Sequence, residues 1–515
     1  MPRSLSMALV NPTQSIGSRL SIAFLVTVLG YVSLYLSQMG SFADDPGVGW
    51  HLKTGELISH SGEIPRYDPF LAGERRAWIS DQWLSDLLIF TLHARGGWEL
   101  LYQVFAGVWI VTFFGVLLPA LRAQSGGALT SLIAVVIAFK CAQVHFILRP
   151  VVLSLLCFTA AFVVVRDIYR RDLMARREIL TRGACLVSLC ALWSNLHPAF
   201  VLGVLVAGLA FLVYLCEHRC LDFRAKTLGA TALLCGVGTL ANPYGAALHR
   251  SIFALGSSDY FLNLNEEWLP PDFTSFEGIA FLCLAGIPIV TAISKPGFRK
   301  RVTWFDLVTT VIFACAALRS VRYIPFASVV ATPLFAALLM YSAPRCRIPA
   351  LKLSARLVGA IEQHERRVPS VALAAWLCFL CGLIGVTRGL LPAQLGPQAS
   401  RYPPGVVAAI RADASKGVVL ASPDWGGTIT AALYPSFRAV IDDRNTLIGE
   451  DLYRRYFRAM ESKRSLDDLV QQFGVTHVII PANTTVGKEV ASSSDWHVIF
   501  DDATQVVARV VNGES

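Results

Sequence analysis

The chain has 515 residues, a formal net charge of +9, 54% apolar residues and only 16% charged ones, against roughly 25% charged in an ordinary soluble protein. With a mean hydropathy of +0.53, an apolar excess of this length is many membrane spans rather than one large core. It excludes a soluble enzyme, a disordered scaffold and a small disulfide-braced secreted protein.

Residues 20–38 form the first apolar run, between Arg3 and Arg19 on one side and Ser41-Phe42-Ala43 on the other. The run exceeds the apolar stretch of a signal peptide, about 7–15 residues, and reads as an uncleaved helix with its N-terminus in the cytoplasm. An outer loop follows over residues 39–97, where Trp and apolar residues alternate with charges as in interfacial amphipathic helices. Further apolar runs lie at 98–120, 127–146, 151–166, 183–196, 199–216, 227–241, 277–294, 303–319, 323–341 and 369–390, giving about eleven spans. The twelve cysteines all fall between Cys141 and Cys381, within or beside these runs. They read as small packing residues, the Cys378–Cys381 CxxC included.

The positive-inside rule supports this order. The N-terminal segment and the loops near 122 and at 166–182, 217–226, 295–301 and 342–368 hold 22 of the 45 Lys and Arg. The loops on the opposite side hold about nine. The net positive charge is therefore mainly an orientation signal, and no nucleic-acid partner is read from it. The spans form a transmembrane domain over 1–394, and residues 395–515 lie on the outer side. KGVVLASP, RAVIDDR, VTHVIIP, WHVIFDD and TQVVARV predict strands there, while GEDLYRRYFRAMES and SLDDLVQQFG predict helices, making a small α/β domain. LLPAQLGPQASRYPPG is its linker.

Ionisable groups at a bilayer are costly and mark sites or wet cavities, and here they gather on the outer side. They are Asp44, Asp45 and His51 in DDPGVGWH, His145 and Arg149 in HFILRPVV, His197 in SNLHPAF, and Asn242 and Tyr244 in ANPYG. Glu266, Glu267 and Trp268 follow in EEW, then Arg319, Arg322 and Tyr323 in RSVRY. Each has a plain structural reading as a cap, a turn or an interfacial anchor. Together, next to an outer domain, they suit an anionic lipid-linked substrate. Arginines clamp a phosphate, and a carboxylate serves as general base or as ligand to a divalent metal.

A first span followed at once by an acidic outer loop, further spans and an outer α/β domain resembles the GT-C class of multi-spanning, polyprenyl-phosphate-sugar-dependent glycosyltransferases. DDPGVGWHLKTGELI, LRPVVLSLL, WSNLHPAFVLG, ANPYGAALHR, EEWLPPDF and VLASPDWGGTITAALYP resemble a family of bacterial membrane proteins with that architecture. The resemblance implies a loop-one catalytic acid at Asp44 or Asp45. Substrate and phosphate would be bound through His51, Arg149, His197, Asn242, Tyr244, Glu267 and Arg322. SPDWGG is distantly similar to an oligosaccharyltransferase acceptor motif and suggests Asp424 and Trp425 on the acceptor side. No DxD or DxE motif stands in the later outer loops, so a metal-independent transferase is favoured over a metal-dependent one, and no cofactor is assigned.

The expected protein is thus an α-helical polytopic enzyme of the bacterial cytoplasmic membrane with a periplasmic or extracellular C-terminal domain. It would move a sugar from a polyprenyl-phosphate carrier to an outer-face acceptor, among membrane lipids and with protein partners unspecified. The alternative is a non-catalytic GT-C-like scaffold binding lipid or partners in envelope assembly. Transport is disfavoured, because transporter sites lie near the bilayer midplane.

Overall fold

The computed structural model describes Gly30 and residues 42–125, 128–170, 174–256, 258–264, 266–342, 396–397, 402–502 and 504–511. The expected spans 20–38 and 369–390, the loop 342–368 beyond Ser342, most of the linker and the Cys378–Cys381 pair lie outside the described residues.

Nine of the expected apolar runs are helical among the described residues, for example Ala128–Ala142, Val151–Arg170, Phe200–His218 and Trp304–Arg319. Five helical stretches have the length and apolarity to cross a membrane: Trp83–Ala123, Val151–Arg170, Phe200–His218, Phe276–Ser294 and Val321–Ser342. The helix around residue 97 is interrupted. Helix Trp83–Ile110 breaks at Gly96 and Gly97, where Gly97 has φ 60° and ψ −157°, a conformation open to glycine and costly for a residue with a Cβ. The break separates WLSDLLIFTLHAR, which carries Asp86, His93 and Arg95, from the segment that follows.

Polar side chains set where the helices begin. Asp222 accepts from the Ala225 N–H at 2.8 Å, and Thr303 accepts from the Asp306 N–H at 3.0 Å, each satisfying a donor that the first turn leaves open. Between helices the packing is aromatic, with Trp109, Phe113, Phe139 and Phe146 among the fully buried or nearly buried residues. In lipid this packing acts through dispersion and shape, because the surroundings are as apolar as the core. The nine described cysteines are free thiols.

The C-terminal part builds its own core on a five-stranded sheet of order β2-β1-β3-β5-β4, with β1 Gly417–Leu420, β2 Phe437–Ala439, β3 His477–Pro481, β4 Trp496–Asp501 and β5 Gln505–Val510. Strands β2, β1 and β3 are parallel, and β5 runs antiparallel to both β3 and β4. All five strand-like runs and both helical runs read from the sequence are present. Four further helices, Pro404–Asp413, Pro423–Leu433, the short Asn445–Ile448 and Thr485–Ser492, accompany them.

The two cores are stitched together by the first long loop, read from the sequence as residues 39–97. Leu71 belongs to the apolar core of the C-terminal part, and a parallel bridge joins it to Ala439 of β2, with the Ala72 N–H donating to Ala439 O at 2.8 Å. Helix Val48–Ser61 lies backbone to backbone against helix Pro423–Leu433. A Cβ on Gly49 would stand 1.8 Å from Gly427 O, and one on Gly427 would stand 1.9 Å from Pro46 O. Only glycine permits that approach, so the second glycine of SPDWGG, Gly427, is a docking point between the two parts, while Gly426 packs on Asp442 within the C-terminal part.

Candidate functional site

Docking of the first loop, the helix ends and the C-terminal part assembles one ionic cluster. The Leu148 N–H donates to Phe42 O at 2.8 Å, which sets Arg149 beside the acidic start of the loop. There Arg149 Nε meets Asp45 Oδ2 at 2.5 Å, its Nη1 meets Glu267 Oε1 at 2.8 Å, and its Nη2 lies 3.9 Å from Asp443 Oδ2. The other oxygen of Glu267 faces Arg322 Nη1 at 3.8 Å. The loops bearing those two residues are tied together, since Ser320 Oγ donates to Glu267 O at 2.9 Å and the Val321 N–H to Leu269 O at 2.9 Å. Arg322 also stacks over Trp268, 4.9 Å from the ring centre.

Asp443 comes from the C-terminal part and was not among the residues singled out in the sequence. Its Oδ1 accepts from Trp50 Nε1 at 2.8 Å. Its neighbour Arg444 is held by Asp442 at 2.6 Å and by Asp68 of the first loop at 2.8 Å, with Trp78 stacked 4.6 Å away. The sequence signal was present: Asp442-Asp443-Arg444 follow the carboxyl end of a parallel strand, where open α/β sheets place ligand sites.

Beside the cluster lies a cavity of about 730 Å³, with Asp81, His197, Trp268, Arg319, Arg322 and Thr446 in its wall. His197 reaches it because SNLHP docks on the start of helix Trp83–Ile110, where Trp83 Nε1 donates to Asn195 Oδ1 at 3.0 Å and Ser85 Oγ to Leu196 O at 2.7 Å. The cavity is large enough for a small organic ligand.

The remaining expected residues take other places. Asp45 accepts from the Gly47 N–H at 2.8 Å, so both its oxygens are engaged, while Asp44 beside it is partly exposed. His51 is buried, bonded through Nδ1 to Asp86 at 2.5 Å, and its ring packs on Trp50. Asn242 forms a turn, accepting from the Tyr244 N–H at 2.8 Å. Tyr244 braces the first loop, donating to Pro65 O and accepting from the Ser80 N–H, both at 3.0 Å. Trp425 is buried against Tyr402 in the C-terminal core, and Asp424 is exposed on the first turn of its helix. Neither is in the cavity wall. The side chain of Glu266 lies outside the described residues.

Burial and charge move the protonation of these groups in opposite directions. Burial raises Glu267, but Arg149 and Arg322 outweigh it and hold the carboxyl at about 2. Burial, with Asp442 and Asp45 nearby, pushes Asp443 up to about 7 against the pull of Arg149. Burial and then Asp86 raise Asp81 to about 7. Burial lowers His51 to about 3 and takes His197 well below its usual range, with Arg322 adding to the effect. Both imidazoles are therefore neutral at pH 7. Among the described residues no three of His, Cys, Asp and Glu are grouped to hold a metal ion. The carboxylates that do converge enclose the Arg149 guanidinium, so the donor set does not fit a divalent ion.

No family model matches the sequence, and no curated protein matches it by sequence. The fold matches the oligosaccharyltransferase AglB from Archaeoglobus fulgidus, solved with an inhibitory peptide and a dolichol-phosphate. The TM-score is 0.59 at 12% identity, over 90% of this chain and 69% of AglB. It also matches ArnT from Cupriavidus metallidurans bound to undecaprenyl phosphate, with a TM-score of 0.52 at 12% identity, over 96% of this chain and 99% of ArnT. The chain has the fold of a GT-C-like polytopic membrane protein, as the sequence resemblance implies.

Proposed function

We propose that this chain is a membrane glycosyltransferase, moving a sugar from a polyprenyl-phosphate-linked donor to an acceptor on the outer face of the bacterial cytoplasmic membrane. One observation carries the reading. Carboxylates from the first loop, the 267–268 loop and the C-terminal part meet at Arg149, beside a cavity walled by Arg319, Arg322 and His197. The lipid phosphates bound in AglB and ArnT support a donor of that class. The Lys/Arg asymmetry supports an outward-facing domain at 395–515 behind a transmembrane domain at 1–394.

In this reading Arg322 and Arg319 take the carrier phosphate. Arg149, ringed by carboxylates, is a positioning residue that holds them in register. The acceptor hydroxyl attacks the anomeric carbon, and its proton passes to a carboxylate. The bond from that carbon to the phosphate oxygen breaks, and the polyprenyl phosphate leaves with the bonding electrons, its charge met by the arginines. Asp443, in the Arg149 cluster beside the cavity, is our candidate to accept the proton. Its Oδ2 has no hydrogen-bond partner among the described residues, and a carboxyl near 7 is matched to general-base work at neutral pH. Asp44, partly exposed beside Asp45, is the second candidate.

The test is transfer of labelled sugar from a polyprenyl-phosphate donor by the full chain in nanodiscs. Asp443→Asn should lower turnover on the order of 10²–10⁴-fold with the melting temperature retained, and Asp44→Asn should cost less. Full turnover in Asp443→Asn with loss in Asp44→Asn would move the base to Asp44. A wild-type chain that binds polyprenyl phosphate but transfers from no donor would leave the scaffold reading.

A further inference from the structure

The far end of the bundle holds a second concave site. A cavity of about 160 Å³ lies among the end of helix Val151–Arg170, the start of helix Trp304–Arg319 and helix Ile324–Ser342. Its wall carries Arg166, Arg170, Arg301 and Asp306, with apolar residues such as Pro333 and Met340 alongside. Arg166 is buried and grips Asp306 with both ends of its fork, Nε to Oδ1 at 2.6 Å and Nη2 to Oδ2 at 3.0 Å. Arg170 reaches the same Oδ2 at 3.3 Å. Arg301 lies over the Tyr341 ring, 5.4 Å from its centre. The adjacent carboxylate, Asp167, turns to Arg182 at 2.9 Å.

Three guanidinium groups thus face one cavity in which Asp306 is the single carboxylate among the described wall residues, and its oxygens are already occupied. Arg301 is exposed at the rim, while Arg166 is buried and Arg170 partly buried; two guanidiniums on one carboxylate in a concave site exceed what orientation by the positive-inside rule requires, and an anion would balance them. The depth fits as well. Helix Val151–Arg170 starts two residues after Arg149, and its 20 residues rise about 30 Å at 1.5 Å each, the thickness of the hydrocarbon layer. The cavity therefore lies about one hydrocarbon thickness from the Arg149 cluster, at headgroup depth.

We propose that this cavity binds the phosphate of an anionic membrane phospholipid, with Arg170 and Arg301 as its donors and the Arg166–Asp306 pair as their rigid backing. Guanidinium forks match phosphate oxygens in pairs, and basic pockets between spans are suited to anionic headgroups. The site owes nothing to the proposed transfer reaction.

Native mass spectrometry of the full chain, with phosphatidylglycerol and phosphatidylcholine of equal acyl length, tests it. The wild type should retain phosphatidylglycerol roughly tenfold better, the worth of one charge-assisted contact. The double variant Arg170→Gln/Arg301→Gln should lose that preference, while Arg176→Gln/Arg177→Gln, which removes equal charge from exposed positions on the same side, should keep it. If the double variant melts early, Arg301→Gln alone serves, since Arg301 lies outside the Arg166–Asp306 pair. Equal preference in the wild type and the double variant would overturn the proposal, as would equal loss in both doubles. Stabilisation of the wild type by inorganic phosphate, lost in the double variant and with no lipid preference, would overturn the lipid assignment and leave a soluble phosphate as the ligand.

Discussion

At one end of the bundle Arg149 stands among Asp45, Glu267 and Asp443; at the other, Asp306 stands among Arg166 and Arg170, with Arg301 across the cavity. The first cluster has carboxylates to spare and is assembled from segments nearly 400 positions apart in sequence. The second has arginines to spare and is made mostly within the helices themselves. Burial, with an excess of carboxylate beside it, raises the proton affinity of the least compensated acid, here Asp443. An excess of cation around one carboxylate favours an outside anion. In the two proposals the same residue types serve proton transfer at one end and anion capture at the other, and their stoichiometry is what differs.

The largest expected effect separates the ends by destroying one. Gly427→Val would drive a side chain into the Pro46 carbonyl, which as backbone cannot move aside. The C-terminal part should part from the first loop, taking Asp443 from Trp50 and Arg149. Transfer should then fall by at least about 10²-fold, as expected when reacting groups lose alignment. Phospholipid retention at the far cavity should be unchanged. Parallel loss of both would mean that the two ends are not independent.

A smaller effect compares the two pairs as structural elements. Asp306→Asn leaves Arg166 buried without a counter-charge and should destabilise the protein by about 3–5 kcal/mol. Asp45→Asn should cost less, because Arg149 keeps Glu267 at 2.8 Å and is partly exposed. Thermal unfolding in one detergent ranks them, and the reverse order would break the comparison.

The smallest effect is a pH slope, and its sign differs between two acids of the same cluster. Asp443 sits above its ordinary 3.8, near 7, so the folded state binds its proton more tightly than the unfolded chain does. Its contribution to stability declines as pH rises from about 4 to about 7 and is flat above. Glu267 sits below its ordinary 4.5, near 2; its contribution is present above the ordinary value and is lost as pH falls through about 2. Melting temperatures between pH 5 and pH 7 should therefore fall more steeply with rising pH in the wild type than in Asp443→Asn. Identical slopes would remove Asp443 as the titrating group.

Much of the fold was legible because apolar run length and strand-like alternation are local signals. The run at 151–166 is a helix that continues to Arg170, and VTHVIIP is β3 with both neighbours in place. Arg149, Asp45, Glu267 and Arg322 were legible as a group because one membrane side confines them to a thin layer. Helix Pro423–Leu433 was not, since a Pro and two Gly suggest a turn. Pro at the first turn is compatible with a helix, and Gly427 answers to a partner helix that local sequence does not reveal. Asp443 was hidden for a related reason: an acidic pair after a strand resembles a solvated turn until docking buries it. Trp425 shows the converse, since a conspicuous aromatic in a motif-like setting is part of a core.

The bridge between Leu71 and Ala439 has a consequence for the sheet. Strand β2 is an outer strand, and an outer strand with unpaired backbone groups is a template for other chains. The first loop occupies part of that rim, inserts Leu71 beneath it and carries Asp68 to Arg444. Severed from the membrane part, residues 402–511 would keep their own sheet but expose a sticky margin, with Arg444 missing one of its two acids. The C-terminal part should therefore not be a portable module: part of its sheet edge is covered by a segment some 370 residues earlier in the chain.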